Sequence, residues 1–140
     1  MTPARMAALH ARCFTTPRPW SQDEFSDLLA DPSVLIETCQ DALAILRCAG
    51  PEAEVLTICV APAARRAGRG AALLARAEAA ARDRGVAEIF LEVAADNAAA
   101  RALYNRAGYV PAGLRKDYYS GPRGQRIGAL VLRKSLTRSA

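Results

Sequence analysis

Apolar positions near the N-terminus recur at helical spacing. Met6, Leu9 and Cys13 follow Thr2-Pro3, which reads as a helix cap and a proline at the first helical position. Pro17-Arg18-Pro19 ends that helix. Ser21-Gln22-Asp23-Glu24 has the spacing of a capping box, and it opens a second helix through Phe25, Leu28 and Leu29 that stops before Pro32. The pattern then shortens. Apolar runs at 34–38, 42–48 and 54–60 predict three strands, with turns at Gln40-Asp41 and Ala49-Gly50-Pro51. A helix over 69–84 is closed by Gly85 and followed by a strand at 88–93. Asn97 caps a further helix that runs to Ala107 and stops at Gly108. Two last strands, near 114–119 and 127–133, flank a turn at 120–124. The order α-α-β-β-β-α-β-α-β-β predicts an α/β (α+β) domain over residues 1–135, its mixed sheet covered by helices on both faces. Residues 136–140 read as a flexible tail.

Composition narrows this picture. The chain has 140 residues, 51% of them hydrophobic, enough for one core without staples. No apolar run approaches the roughly 18 residues that span a bilayer, and no secretory signal is visible, so a cytoplasmic protein with no membrane partner is expected. Cys13, Cys39, Cys48 and Cys59 form no C-x-x-C pair, and His10 is the one histidine, so no metal site is expected and the thiols read as buried and reduced. His10 lies on the first helix, far from the motifs below, and reads as surface or partly buried packing rather than catalysis.

Charge is uneven. Residues 1–58 hold eight acids and four bases; residues 59–140 hold the other six acids and fifteen bases. The basic half suits a polyanionic ligand and the acidic half a basic partner, although an ordinary solvated surface also accounts for the split.

The segment from Val60 to Ala71 leaves a strand, carries arginine and glycine, and enters a long helix. Glycines let backbone approach a ligand, and amides at a helix start favour an anion. A pyrophosphate fits such a nest, while a plain glycine turn is the bland alternative. Neither the lysine of a nucleotide-triphosphate loop nor the third glycine of G-x-G-x-x-G is present.

Glu92 ends a predicted strand whose alternation puts Ile89, Leu91 and Val93 on the opposite face. A carboxylate there can take a proton from an amine, directly or through water. The phenol of Tyr104, with a reference pKa near 10, can protonate a departing thiolate of about 8.5, or only hydrogen-bond the sulfur. Amide formation from a thioester, the reaction that the family resemblance given below implies, needs both services. A lone carboxylate suits an α-amine, with its lower pKa, better than a lysine. The competing readings are a surface charge for Glu92 and a core-edge aromatic for Tyr104.

These segments resemble a known family. Arg65-x-x-Gly68-x-Gly70, preceded by Ile58-Cys59-Val60-x-Pro62, is similar to the acetyl-CoA signature of the GNAT superfamily. Leu91-Glu92-Val93-x-x-x-Asn97-x-x-Ala100-x-x-Leu103-Tyr104-x-x-x-Gly108-Tyr109 resembles its RimI-like N-terminal acetyltransferases, as do Cys13-Phe14, Pro19-Trp20-Ser21 and Tyr118-Tyr119. The resemblance covers roughly residues 9–133. It implies the GNAT fold, a single three-layer domain with a mixed, mostly antiparallel sheet flanked by helices. It also implies acetyl-CoA as cosubstrate, with the N-terminal alanine of a small-subunit ribosomal protein as acceptor, and no direct nucleic-acid contact. Ile58 and Val60 would hold the pantetheine arm. The pyrophosphate would lie on the loop Arg65, Arg66, Ala67, Gly68, Arg69, Gly70 and Ala71. Glu92 would be general base and Tyr104 general acid. Asn97 would touch the cosubstrate, a role that stands beside plain helix capping. Trp20, Tyr118 and Tyr119 would face the acceptor, with hydrophobic anchoring the alternative for Trp20. The chain departs from the family in two places: Ala61 replaces a common acid, and the usual strand before the first helix is not seen.

Overall fold

The computed structural model describes residues 1–14, 18–64, 68–120, 123–124 and 126–136. Helix α1 (Pro3–Cys13) starts where the Thr2 hydroxyl accepts the Arg5 amide, and α2 (Gln22–Ala30) starts at a complete capping box between Ser21 and Glu24. Strands β1 (Val34–Cys39), β2 (Ala42–Ala49) and β3 (Glu52–Val60) follow, then a short 3-10 turn at Pro62–Ala64. Helix α3 (Arg69–Asp83), β4 (Glu88–Ala94), α4 (Ala98–Arg106), β5 (Val110–Ser120) and β6 (Arg126–Ser135) complete the chain. The element order is the one the sequence predicts, with strands a few residues longer, β5 most of all.

The six strands form one sheet in the order β1-β2-β3-β4-β6-β5. Only β3 and β4 run parallel, joined by the α3 crossover; every other pair is antiparallel. This is the arrangement that the resemblance implies, a mixed and mostly antiparallel sheet between helices. Strand β2 shows why there are three layers. Ala42, Ala44 and Leu46 pack toward α3, Leu43 and Ile45 toward α1 and α2, and all five are fully buried. A strand covered on both faces reads as a continuous apolar run. The small side chains of β2, with Ala77 and Ala81 on α3, let helix and sheet approach closely.

Two irregularities place the site. The β2–β3 register shifts between Ile45 and Leu46, which pair with Thr57 and Val55 and leave Leu56 as a bulge. Ala53 and Val55 therefore face α3, Thr57 and Cys59 reach the α1–α2 side, and Ile58 and Val60 return to the α3 side. The β3–β4 ladder runs only from Glu52/Glu88 to Val55/Leu91. A bulge bends its strand and increases local twist. Past it the two parallel strands continue without pairing, so the sheet splits.

At the other end, buried Glu78 of α3 accepts from the Tyr109 hydroxyl at 2.9 Å and the Lys134 ammonium at 3.0 Å, tying α3 to both C-terminal strands. Burial, and then the neighbouring carboxylate, pushes the Tyr109 phenol far above its usual range. Leu136, which the sequence places in the tail, is buried and its amide bonds the Ala87 carbonyl. Residues 137–140 of the expected tail lie outside the described residues. Cys59 is buried and the other three thiols are partly so. No helix among the described residues is long and apolar enough to cross a membrane, and none of their side chains cluster as a metal site.

Candidate active site

The split in the sheet opens into a cleft of about 990 Å³ between the end of β3, the start of α3 and helix α4. Ile58 and Val60 line it from β3, and Gly68, Arg69, Gly70 and Ala71 from α3. The sequence explains this wall. Gly68 precedes the helix at φ 74°, a left-handed conformation that side chains resist. The first α3 amide to find an intrahelical acceptor is that of Ala72, bonded to the Gly68 carbonyl. The amides just before it belong to the helix start, where backbone N–H groups and the helix dipole favour an anion. A Cβ at Gly70 would stand 3.3 Å from Val60 Cγ2 and 3.5 Å from Leu103 Cδ2, so glycine allows α3 to begin tight against β3 and α4. Arg69 reaches across to pair with Asp41 in the β1–β2 turn. Arg65, Arg66 and Ala67 of the expected phosphate loop lie outside the described residues.

A smaller cavity of about 100 Å³ adjoins the cleft and shares Phe14, Ile58, Asn97 and Ala100 with it. Glu92 and Tyr104 both line this cavity. They arrive from opposite faces of the split sheet. Glu92 has the opposite parity to Ile89, Leu91 and Val93, which pack in the α3–α4 core. Tyr104 is buried in that core on α4, edge-on to Tyr109 at 5.7 Å. Asn97 Oδ1 accepts the Ala100 amide at 3.1 Å, so it does cap α4, and its side chain also lines both spaces. Trp20 stands in the cavity wall. The side chains of Tyr118 and Tyr119 lie outside the described residues; their backbones belong to β5.

Two sequence expectations need correction. Glu92 is not a lone carboxylate. Arg115 on β5 places Nη1 3.1 Å from its Oε1, a charge-assisted contact that orients the carboxylate. His10 is neither at the surface nor partly buried but fully buried, and it is not far from the motifs. Helix α1 folds back onto β3, and His10 lines the same cavity as Glu92 and Tyr104, 1% exposed. Its Nε2 lies 3.0 Å from Thr57 Oγ1, and the Trp20 amide donates to Nδ1 at 3.1 Å. Burial lowers its pKa to about 4 against a smaller opposing pull from Glu24, so the imidazole is neutral near pH 7. Thr57, the hydroxyl inside the apolar run V-L-T-I-C-V, was the available sequence signal for a polar partner here.

Residues 5–109 match the model of the acetyltransferase (GNAT) family. The chain belongs to this family. It is 36% identical over 117 residues to the ribosomal protein bS18-alanine N-acetyltransferase of Escherichia coli (strain K12), covering 81% of this chain and 79% of that one. It is 36% identical over 124 residues to the N-alpha-acetyltransferase RimI of Mycobacterium tuberculosis (strain ATCC 25618 / H37Rv), covering 82% and 77%. The crystal structure of a ribosomal-protein-alanine N-acetyltransferase from Escherichia coli superposes with a TM-score of 0.86 at 32% identity, over 99% of this chain and 89% of that one. The chain is thus a GNAT acetyltransferase, and its family implies acetyl-CoA as donor. The large cleft suits that substrate chemically. It offers a glycine-shaped helix start for phosphates and a strand edge, beyond Val55, that β4 leaves unladdered for an extended amide arm.

Proposed function

We propose that this protein transfers the acetyl group of acetyl-CoA to the α-amine of the N-terminal alanine of ribosomal protein bS18. The observation that carries the reading is the junction of the two spaces. A cleft of about 990 Å³ and a small cavity lined by a carboxylate and a phenol share Asn97 and Ala100 in their walls. The acceptor is taken from the relatives named above, whose activities concern that alanine or protein α-amines. A cavity of about 100 Å³ matches a short first side chain.

Ile58 and Val60 hold the pantetheine arm, and the loop through Arg65, Arg66, Ala67, Gly68, Arg69, Gly70 and Ala71 holds the pyrophosphate. Asn97 lies where the thioester emerges. Glu92 takes the ammonium proton, directly or through water, and frees the nitrogen lone pair. The nitrogen attacks the thioester carbonyl carbon, the C–S bond breaks, and Tyr104 protonates the departing thiolate; the second N–H proton leaves the new amide through water and restores the Tyr104 phenol, while the proton on Glu92 passes to solvent. Trp20, with Tyr118 and Tyr119, borders the acceptor. Residues 1–135 act as one catalytic domain.

The test is acetyl transfer, followed by mass spectrometry, to three acceptors: a peptide beginning with the bS18 N-terminus, the same peptide blocked at its α-amine but carrying lysine, and a small polyamine. Transfer confined to the free α-amine is expected. Preference for lysine or for the polyamine would leave the acetyltransferase assignment intact and remove the ribosomal acceptor.

A further inference from the structure

The acceptor wall of this site depends on a buried histidine that the chemistry above does not use. His10 projects from α1 between three aromatic rings. It stacks on Trp20 with centroids 4.9 Å apart, tilts on Phe14 at 4.5 Å, and meets Phe25 edge-on at 5.6 Å. Its two nitrogens link segments distant in sequence, the Trp20 backbone on one side and Thr57 of β3 on the other.

The hydrogen bonds fix its protonation. A backbone N–H can only donate, so Nδ1, which receives the Trp20 amide, carries the lone pair. The proton of the neutral ring is then on Nε2, which donates to Thr57 Oγ1. Both nitrogens are committed. Nε2 has no lone pair to accept an acceptor's proton, and Nδ1 already spends its own on Trp20. His10 is therefore placed to hold the cavity rather than to act as a base in it.

We propose that His10 is the positioning residue of the acceptor site, pinning the Trp20 segment to β3 and so setting the size of first side chain the site admits. The proposal rests on the reading of this cavity as the acceptor site. Phe14, Trp20 and Thr57 all line the cavity, and His10 touches each of them. Thr57 lies immediately after the bulge, where the sheet begins to split. The pin thus joins a loop, which could otherwise breathe, to the strand that forms the fixed side of the site.

Two variants test it. His10→Phe keeps ring and volume but removes both hydrogen bonds, and Thr57→Val removes only the β3 anchor. Trp20 is the chain's one tryptophan, so its fluorescence reads the wall with no acceptor present. Acrylamide quenching of Trp20 is expected to rise about twofold in His10→Phe and less in Thr57→Val, with acetyl-CoA affinity unchanged. With peptides differing only in their first residue, kcat/KM for the alanine peptide should fall about tenfold, mainly through KM. The preference for alanine over leucine should narrow in the same order of variants, and retained acetyl-CoA affinity shows that each variant is folded. Trp20 quenching unchanged in both variants, or a preference for alanine untouched while quenching rises, overturns the proposal. So does the loss of an ionising group from the pH profile of kcat/KM in His10→Phe, which would make the histidine a base. If quenching rises as expected but neither peptide is acetylated, the pin stands as a feature of the wall and the α-amine reading fails.

Discussion

The donor and acceptor sides of this site are built in different ways. The donor side is almost contiguous in sequence. In the proposed reading it consists of the end of β3, a glycine turn and the first turn of α3, where backbone amides would meet the ligand. The acceptor side is assembled from α1, the segment before α2, the middle of β3, the end of β4, and Arg115 on β5. Side chains rather than amides make its decisive contacts, and His10 and Thr57 are 47 positions apart. A site made of backbone requires particular conformations, hence glycines at fixed offsets. A site made of side chains requires only that the fold bring them together.

Substitutions should separate the two sides. Glu92→Gln and Tyr104→Phe are expected to lower kcat by about 10²-fold or more while leaving the acetyl-CoA dissociation constant within a factor of about two. Gly68→Ala should do the reverse. It forces a methyl group into a left-handed conformation at a cost of about 1–2 kcal/mol, so acetyl-CoA binding weakens about tenfold with kcat at saturation little changed. Equilibrium binding beside steady-state kinetics separates these outcomes. If Glu92→Gln also loses acetyl-CoA affinity, the two sides are not independent.

The acceptor side should also be the pH-sensitive one. His10 has a folded pKa of about 4 against an ordinary 6.5, so the native state resists its protonation. Its stabilising contribution is complete above pH 6.5 and is lost as pH falls toward 4, because the unfolded chain takes up the proton first. Glu24 is held down to about 2 by the Arg18 guanidinium and then the Ser21 amide, so it stays ionised in this window. Chemical denaturation at pH 7.5 and 5.5 should show the wild type losing about 1 kcal/mol more than His10→Phe over that interval. Equal losses would place the proton uptake elsewhere.

The same division governs what the sequence reveals. The order of elements is legible because local signals agree: Thr2 and Ser21 cap helices, Gly85 and Gly108 end them at positive φ, and β2 is apolar and buried from Ala42 to Leu46. The wall residues Ile58, Val60, Gly68 and Gly70 are legible for the same reason. His10 is not, because its position depends on how α1 lies across β3. Neither is Arg115, because the antiparallel return of β5 along β6 brings it to Glu92, and no local pattern states that pairing. Leu136 reads as tail for want of a visible partner, yet its partner Ala87 opens a strand at the far side of α3.

The smallest effect is expected at Arg115, and it bears on whether the acceptor side is one unit. The guanidinium is about half exposed, so its contact with Glu92 is screened by solvent and carries only a modest energy, about 0.2–1 kcal/mol. Its contribution is orientation. It holds Oε1 of a carboxylate whose residue lines the cavity. Arg115→Gln should therefore lower acceptor kcat/KM about two- to fivefold, with acetyl-CoA affinity and Trp20 quenching unchanged. Added salt should bring the wild type toward the variant, since an exposed pair weakens over a Debye length of about 8–10 Å. A loss as large as that of Glu92→Gln would instead mean that Arg115 holds the carboxylate in its working position outright. The acceptor side would then have two anchors of comparable weight, one on each flank of the split sheet.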